Sequence, residues 1–112
     1  MKLLIVVSRS ITDFDLEGLV PPETDLIISG GANGVDTLAE QYADKHRISK
    51  LIIRPDYARY GRGAPLKRNT EMVDMCDAAL VVWDGVSSGT KFTIENAKSK
   101  GKTVILIKKD LT

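Results

Sequence analysis

The length, composition and charge of the chain indicate one small globular domain. At 112 residues, of which 43% are hydrophobic, the chain can bury a single core. Sixteen Lys and Arg residues stand against fifteen Asp and Glu residues, so the molecule has no overall positive field to gather nucleic acid or an anionic membrane. The lone Cys76 excludes an intramolecular disulfide. The apolar run Leu3–Val7 is too short for a signal peptide or a membrane span of about 20 residues, so we expect a cytoplasmic protein with no membrane partner.

Short apolar runs alternate with segments of helix length. The runs are Leu3–Val7, Leu26–Ile28, Leu51–Ile53, Ala78–Trp83 and Thr103–Ile107. They are nearly continuous in Val, Ile and Leu, which is typical of strands buried on both faces of a parallel sheet. The pattern predicts the α/β class: a single Rossmann-like three-layer domain over residues 1–112, with a five-stranded, mostly parallel sheet in the order 3-2-1-4-5 flanked by helices.

The segments between the runs predict the helices. Apolar residues in Asn33–His46 recur at helical spacing, and further helices are predicted for Pro65–Cys76 and from about Thr90 to Lys100. The first crossover is weaker, because Asp13–Leu19 allows only two helical turns before Pro21 and Pro22 end them.

The loop after the second strand is rich in glycine. It reads Ser29-Gly30-Gly31-Ala32-Asn33-Gly34-Val35-Asp36. Glycines let backbone amides approach a phosphate or carboxylate at the carboxyl edge of the sheet, although they also suit a tight strand-to-helix corner. Asp36 either complements the dipole of the following helix or contacts a ligand group such as a ribose hydroxyl.

A second loop of small and hydroxyl residues follows the fourth strand. It reads Asp84-Gly85-Val86-Ser87-Ser88-Gly89-Thr90 and opens a helix. We expect both loops to face one cleft, because both lie at the same sheet edge. The hydroxyls of Ser87, Ser88 and Thr90 can cap the helix, bind a ligand oxygen, or do both.

Basic residues are concentrated near these loops. Ser8 and Arg9 follow the first strand, and the segment 54–69 carries five basic residues and one acidic residue. Arg68 and Asn69 in the following helix are expected to face the cleft, and a guanidinium suits bidentate binding of phosphate. Tyr57 and Tyr60 either stack on a base or serve as packing and contact residues.

These residues together resemble the SLOG superfamily of Rossmann-like domains, which joins the Smf/DprA DNA-processing proteins to the Lonely guy enzymes. The closest resemblance is to the small stand-alone YspA/YpsA-type branch. The matching motifs are Ser8-Arg9, Ser29-Gly30-Gly31-Ala32-x-Gly34-Val35-Asp36, Arg68-Asn69-x-x-Met72 and Trp83-Asp84-Gly85-x-Ser87-x-Gly89-Thr90 followed by Ile94-Glu95. The resemblance implies a nucleotide-type ligand held by the two glycine loops, and a homodimer.

Three functions stay open at this point. The first is a sensor or binding module for a nucleotide or nucleotide derivative, which needs no cofactor or metal. The second is a nucleoside 5′-monophosphate phosphoribohydrolase, in which Arg68 holds the phosphate while Asp84 or Glu95 stabilises the ribose and activates water. The third is DNA binding as in DprA, which the balanced charge argues against.

Overall fold

The computed structural model describes residues 1–31 and 37–109. The strands are β1 (Lys2–Val7), β2 (Leu26–Ser29), β3 (Ser49–Ile52), β4 (Ala78–Trp83) and β5 (Thr103–Lys108). The helices are α1 (Leu38–Lys45), α2 (Tyr57–Tyr60), α3 (Ala64–Met75) and α4 (Ser88–Ser99), with a 3₁₀ turn at Gly61–Gly63 between α2 and α3.

The five strands form one sheet in the order β3-β2-β1-β4-β5, and every neighbouring pair is parallel. This confirms the predicted α/β class and strand order. The three inner strands β1, β2 and β4 carry the most deeply buried side chains, and those fully shielded from solvent include Leu3, Leu4, Ile27, Leu80 and Val81. Each such Val or Leu side chain contributes about 1.5–3 kcal/mol relative to an exposed one.

The expectation that all five strands are buried on both faces is wrong for the two edge strands. In β3 three of four residues are exposed, and in β5 every residue is at least partly exposed. The predicted start of β3 at Leu51 is also late by two residues. Ser49 and Lys50 pair with Leu26 and Ile27 through the backbone, which does not require apolar side chains at a sheet edge.

Helices cover the two faces of the sheet unequally. On one face, Ala39 and Ala43 of α1 pack with Ile27, Leu3 and Ile5. On the other face, buried residues of α3 and α4 pack against the sheet, namely Met72, Val73, Ile94 and Ala97. None of the described helices is long and apolar enough to cross a membrane.

The helix predicted between β1 and β2 does not form. The segment is irregular, although Ile11 and Leu16 still bury their side chains on the α1 face of the sheet. The Asp15 carboxylate accepts a hydrogen bond from the backbone N–H of Glu17, and Gly18 has a φ of +79°. Both features favour a turn over a helix.

The start of α1 depends on a reciprocal pair of hydrogen bonds. The Thr37 hydroxyl accepts from the backbone N–H of Glu40 at 3.2 Å, and the Glu40 carboxylate accepts from the backbone N–H of Thr37 at 2.7 Å. This capping box satisfies two donors that a helix start otherwise leaves unpaired. It places the described start of α1 at Leu38, while residues 33–36 of the predicted helix lie outside the described residues.

Candidate functional site

A cleft of about 820 Å³ lies at the carboxyl ends of β1, β2 and β3. Seven of the residues predicted from sequence line it: Ser8, Arg9, Ser29, Gly30, Gly31, Arg68 and Asn69. The structure therefore brings together the β1 loop, the first glycine loop and the N-terminal half of α3. Gly34, Val35 and Asp36, which were also predicted to bind the ligand, lie outside the described residues.

Arg68 is held in the cleft by backbone oxygens of two neighbouring strand ends. Its Nη1 donates to the carbonyl oxygen of Gly30 at 2.9 Å and, more weakly, to that of Ile53 at 3.4 Å. Its Nε donates to Oδ1 of Asn69 at 2.9 Å. Among the described residues these bonds engage Nε and Nη1 and leave Nη2 for a ligand. Asn69 is thus a neighbour that orients the guanidinium.

The surroundings of Arg68 make an anionic ligand favourable. The side chain is partly buried, and burial is the main cause that lowers the pKa of Arg68. Tyr57 acts in the opposite direction, and the positive charge of Arg9 lowers the pKa further. Arginine stays protonated in proteins, so the cleft keeps a partly desolvated positive charge that a bound anion would stabilise.

The glycines of the first loop allow the arginines to approach the backbone. A Cβ atom on Gly30 would lie 2.6 Å from Nη1 of Arg68. A Cβ atom on Gly31 would lie 2.9 Å from Nη1 of Arg54 and 2.8 Å from Cγ2 of Ile52, and Gly31 has a φ of +69°. The guanidinium groups of Arg54 and Arg68 therefore pack directly against the backbone of this loop.

Three arginines contribute positive charge to the described lining of the cleft. Arg9, Arg54 and Arg68 line it, whereas no Asp or Glu from residues 1–31 or 37–109 does. The same part of the chain contains no group of three His, Cys, Asp or Glu side chains arranged to hold a metal ion. Ser29, Thr37 and Gln41 add hydroxyl and amide groups to the lining.

The second loop does not line this cleft. Asp84 lies beside the β1 loop and accepts four hydrogen bonds, from the hydroxyls of Ser10 and Ser87 and from the backbone N–H groups of Val86 and Ser87. These bonds lower the pKa of Asp84 well below its usual range, the Ser10 bond most strongly. Asp84 is therefore an ionised acceptor that organises its own loop.

The Thr90 hydroxyl of the second loop also serves the fold. Thr90 is buried, and its Oγ1 lies 3.1 Å from Oγ of Ser8. The Ser8 hydroxyl also accepts from the backbone N–H of Asp84 at 3.2 Å. Ser87 precedes α4, and Ser88 and Gly89 occupy its first turn. Ser8 thus contacts the second loop and also lines the cleft, because β1 lies between β2 and β4 in the sheet.

Glu95 lies apart from the cleft. Its side chain is 66% exposed and its Oε1 lies 4.0 Å from Nζ of Lys91, one helical turn earlier in α4. The structure therefore does not bring Glu95 or Asp84 together with Arg68, as the predicted hydrolase site would require.

Sequence reasoning missed several residues of the cleft lining. Arg54 follows β3, and the rule that placed Ser8 and Ser29 at the carboxyl edge also applies to it. Thr37 belongs to a Thr-x-x-Glu capping box that is readable from sequence. The sequence offers Tyr57 and Tyr60 equally as stacking or packing residues, and of the two Tyr57 lines the cleft.

Comparison with known proteins identifies a phage relative. Neither the protein-family models nor the solved structures include a match to this chain. The chain is 30% identical over 86 residues to the Gene 61 protein of Mycobacterium phage D29, an alignment that spans 71% of this chain and 69% of that protein. The chain belongs to the same family as the Gene 61 protein of Mycobacterium phage D29.

Proposed function

We propose that this protein is a binding module for a nucleotide or nucleotide-derived ligand, held in the cleft at the carboxyl ends of β1, β2 and β3. The observation that carries the proposal is the partly buried Arg68, fixed against Gly30 in a cleft that Arg9 and Arg54 also line. A guanidinium held in this way presents its remaining donors to phosphate oxygens without further ordering cost.

The shape of the cleft also supports a nucleotide-sized ligand. Its volume of about 820 Å³ lies within the range of small-molecule sites. Apolar side chains such as Ile11, Leu38 and Met72 line it together with the polar groups. An apolar lining with a few oriented charges suits a ligand that has a planar base at one end and an anionic group at the other.

The proposal includes membership of the SLOG superfamily, which the four sequence motifs support. It favours a sensor or binding module over a phosphoribohydrolase, because Asp84 is engaged in its own loop and Glu95 is exposed on α4. We extend the same resemblance to the oligomeric state and propose a homodimer, for which light scattering should give twice the mass of the chain.

A ligand screen tests the proposed function. The purified protein is heated with nucleoside mono-, di- and triphosphates, NAD, ADP-ribose and cyclic nucleotides, and each sample is analysed by chromatography for released base. A ligand at one hundred times its Kd should add about 2.7 kcal/mol, which raises the Tm by several degrees. A stabilising compound recovered intact supports the binding module.

Two other results would contradict the proposal. Free base appearing with the stabilising compound would make the protein a hydrolase, and Glu95→Gln would then show whether that carboxylate takes part. If none of the compounds raised the Tm, the cleft would not be a nucleotide site.

A further inference from the structure

Two tyrosines three residues apart bracket the short helix α2, and the structure separates their roles. Tyr57 lines the cleft and is 58% exposed, whereas Tyr60 is 37% exposed and lies outside the cleft lining. Arg59 and Lys67 both approach the ring of Tyr60, at 5.3 Å and 5.7 Å from its centroid. Tyr60 therefore has cationic partners of its own within the protein.

Tyr57 has no such partner among the residues that the structure describes. Within residues 1–31 and 37–109, its side chain makes no hydrogen bond, ring contact or cation–π contact. An aromatic ring that stays exposed to water contributes little to the free energy of folding. Where an aromatic ring contacts a ligand, it supplies much of the binding energy. The position of Tyr57 at the cleft is thus not explained by packing.

The backbone around Tyr57 is ordered. Asp56 caps α2 by accepting a hydrogen bond from the backbone N–H of Arg59 at 3.2 Å, and Pro55 precedes it with a restricted backbone. Tyr57 and Arg68 both line the cleft. The ring therefore shares the cleft with the arginine that the proposed function assigns to the anionic group.

We propose that Tyr57 is the base-stacking platform of this site, so that the ligand carries a planar aromatic base next to its anionic group. This inference rests on the proposed function and narrows it. Stacking on an aromatic side chain tolerates all four common bases and is lost when the ring is removed. It therefore predicts that Tyr57 contributes to binding of a nucleotide but not to binding of its phosphate groups alone.

The test compares a nucleotide with its phosphate group alone by isothermal titration calorimetry. ADP, GDP, CDP and UDP are titrated first, and the nucleoside diphosphate that binds most tightly is compared with inorganic pyrophosphate. Tyr57→Ala should weaken binding of the nucleoside diphosphate roughly 5- to 150-fold and leave pyrophosphate within about twofold of wild type. Tyr57→Phe keeps the ring and should retain nucleotide affinity. Tyr60→Ala is the matched control and should leave both affinities unchanged.

The outcomes separate the inference from the proposed function. Wild type could bind a nucleoside diphosphate while Tyr57→Ala weakened binding of that compound no more than binding of pyrophosphate. Tyr57 would then not stack on the base, and the proposed anion site at Arg68 would be retained. If Tyr60→Ala produced the loss instead, the assignment of the two rings would be overturned. If wild type bound none of the nucleoside diphosphates, the inference would fail, whereas the proposed function would fail only if the other compounds of the ligand screen also left the Tm unchanged. Because Tyr57 is exposed, circular dichroism should show all three variants folded.

Discussion

The guanidinium of Arg68 lies directly against Gly30, whose carbonyl oxygen accepts a 2.9 Å hydrogen bond from Nη1. The contact is so close that a methyl group on Gly30 would meet Nη1 at 2.6 Å. The first glycine loop is therefore matched to one arginine from a helix 38 residues further along the chain.

Gly30→Ala should reduce ligand binding with little effect on stability. Gly30 has an ordinary φ, and the atoms that its methyl group would meet belong to the movable end of the Arg68 side chain. We expect the free energy of unfolding to stay within about 1 kcal/mol of wild type, because the displaced guanidinium still reaches the two carbonyl oxygens through weaker hydrogen bonds and alanine restricts the unfolded chain. Nucleotide affinity should fall, since Arg68 leaves its position. Urea denaturation and calorimetric titration measure the two effects, and a variant that bound normally would show that the contact does not position Arg68.

Gly31→Ala should instead destabilise the fold. Gly31 has a φ of +69°, and its added Cβ would lie 2.8 Å from Cγ2 of Ile52. A left-handed conformation at a non-glycine residue costs about 1–2 kcal/mol, before the clash is counted. Gly63→Ala is the control, because Gly63 has an ordinary φ and a Cβ added there would meet no described atom within 4 Å. Equal Tm values for the two variants would contradict this account of the loop.

Arg68→Met should abolish most anion binding and lower stability. The variant removes the donors to Gly30 and Ile53 and leaves two carbonyl oxygens without this partner. The variant also loses the hydrogen bonds from the guanidinium to the anionic group of the ligand. Hydrogen bonds to charged groups contribute about 1.5–3 kcal/mol, so the Kd for the nucleotide should rise roughly 10- to 150-fold.

Arg68→Lys and Arg62→Met complete that experiment. Lysine keeps the charge but cannot reproduce the planar fork of donors, so Arg68→Lys should bind with intermediate affinity. Arg62 is exposed in the 3₁₀ turn outside the cleft lining, and Arg62→Met removes one positive charge of the same kind. If Arg62→Met weakened binding as much as Arg68→Met, the effect would come from general charge and not from the cleft.

The stability contribution of Asp84 should depend on pH. Its folded-state pKa lies below the ordinary value of 3.8, because Ser10, Ser87 and Val86 donate hydrogen bonds to the ionised carboxylate. A group with a lowered folded-state pKa stabilises the protein above its unfolded-state pKa, and this contribution is lost as the pH falls below that value. Asp84→Asn should therefore be less stable than wild type at pH 7, with a difference that shrinks toward pH values of about 3.

Denaturant midpoints measured across this pH range test the Asp84 prediction. Glu95→Gln is the control, because it removes a carboxylate whose only close cation among the described residues is the exposed Lys91 at 4.0 Å. An exposed pair of this kind contributes less than about 1 kcal/mol. A difference between wild type and Asp84→Asn that stayed constant down to acidic pH would show that the carboxylate charge is not the cause.

Ser8 and Thr90 should be energetically coupled. Their hydroxyls lie 3.1 Å apart in a buried position, and the Ser8 hydroxyl also accepts from the backbone N–H of Asp84. Ser8→Ala leaves the buried Thr90 hydroxyl and the partly buried Asp84 N–H without this partner and should cost about 1–3 kcal/mol. In a double-mutant cycle, Ser8→Ala and Thr90→Val should be non-additive by at least about 0.5 kcal/mol, and additive values would contradict the contact.

The amino-acid pattern alone is enough to predict the architecture and the edge at which the ligand residues gather. The alternation of apolar runs with helical segments implies parallel strands, and right-handed crossovers then restrict the strand order. Because parallel strands end at one edge, the pattern also assigns Ser8 and Ser29 to a common region, and a helix that begins at Pro65 turns Arg68 toward it.

Which of those residues share the cleft depends on how the elements pack in three dimensions. β1 separates β2 from β4 in the sheet, so the second loop contacts the first strand end and its Asp84 satisfies its hydrogen bonds locally. The neighbours Tyr57 and Tyr60 look equivalent in sequence, yet one meets the cleft and the other meets Arg59 and Lys67. The physical reason is that residue type and periodicity determine whether a segment forms a strand or a helix and where that segment ends. The partners of a side chain depend instead on how far apart neighbouring strands and helices lie, and on which nearby donors and acceptors compete for it.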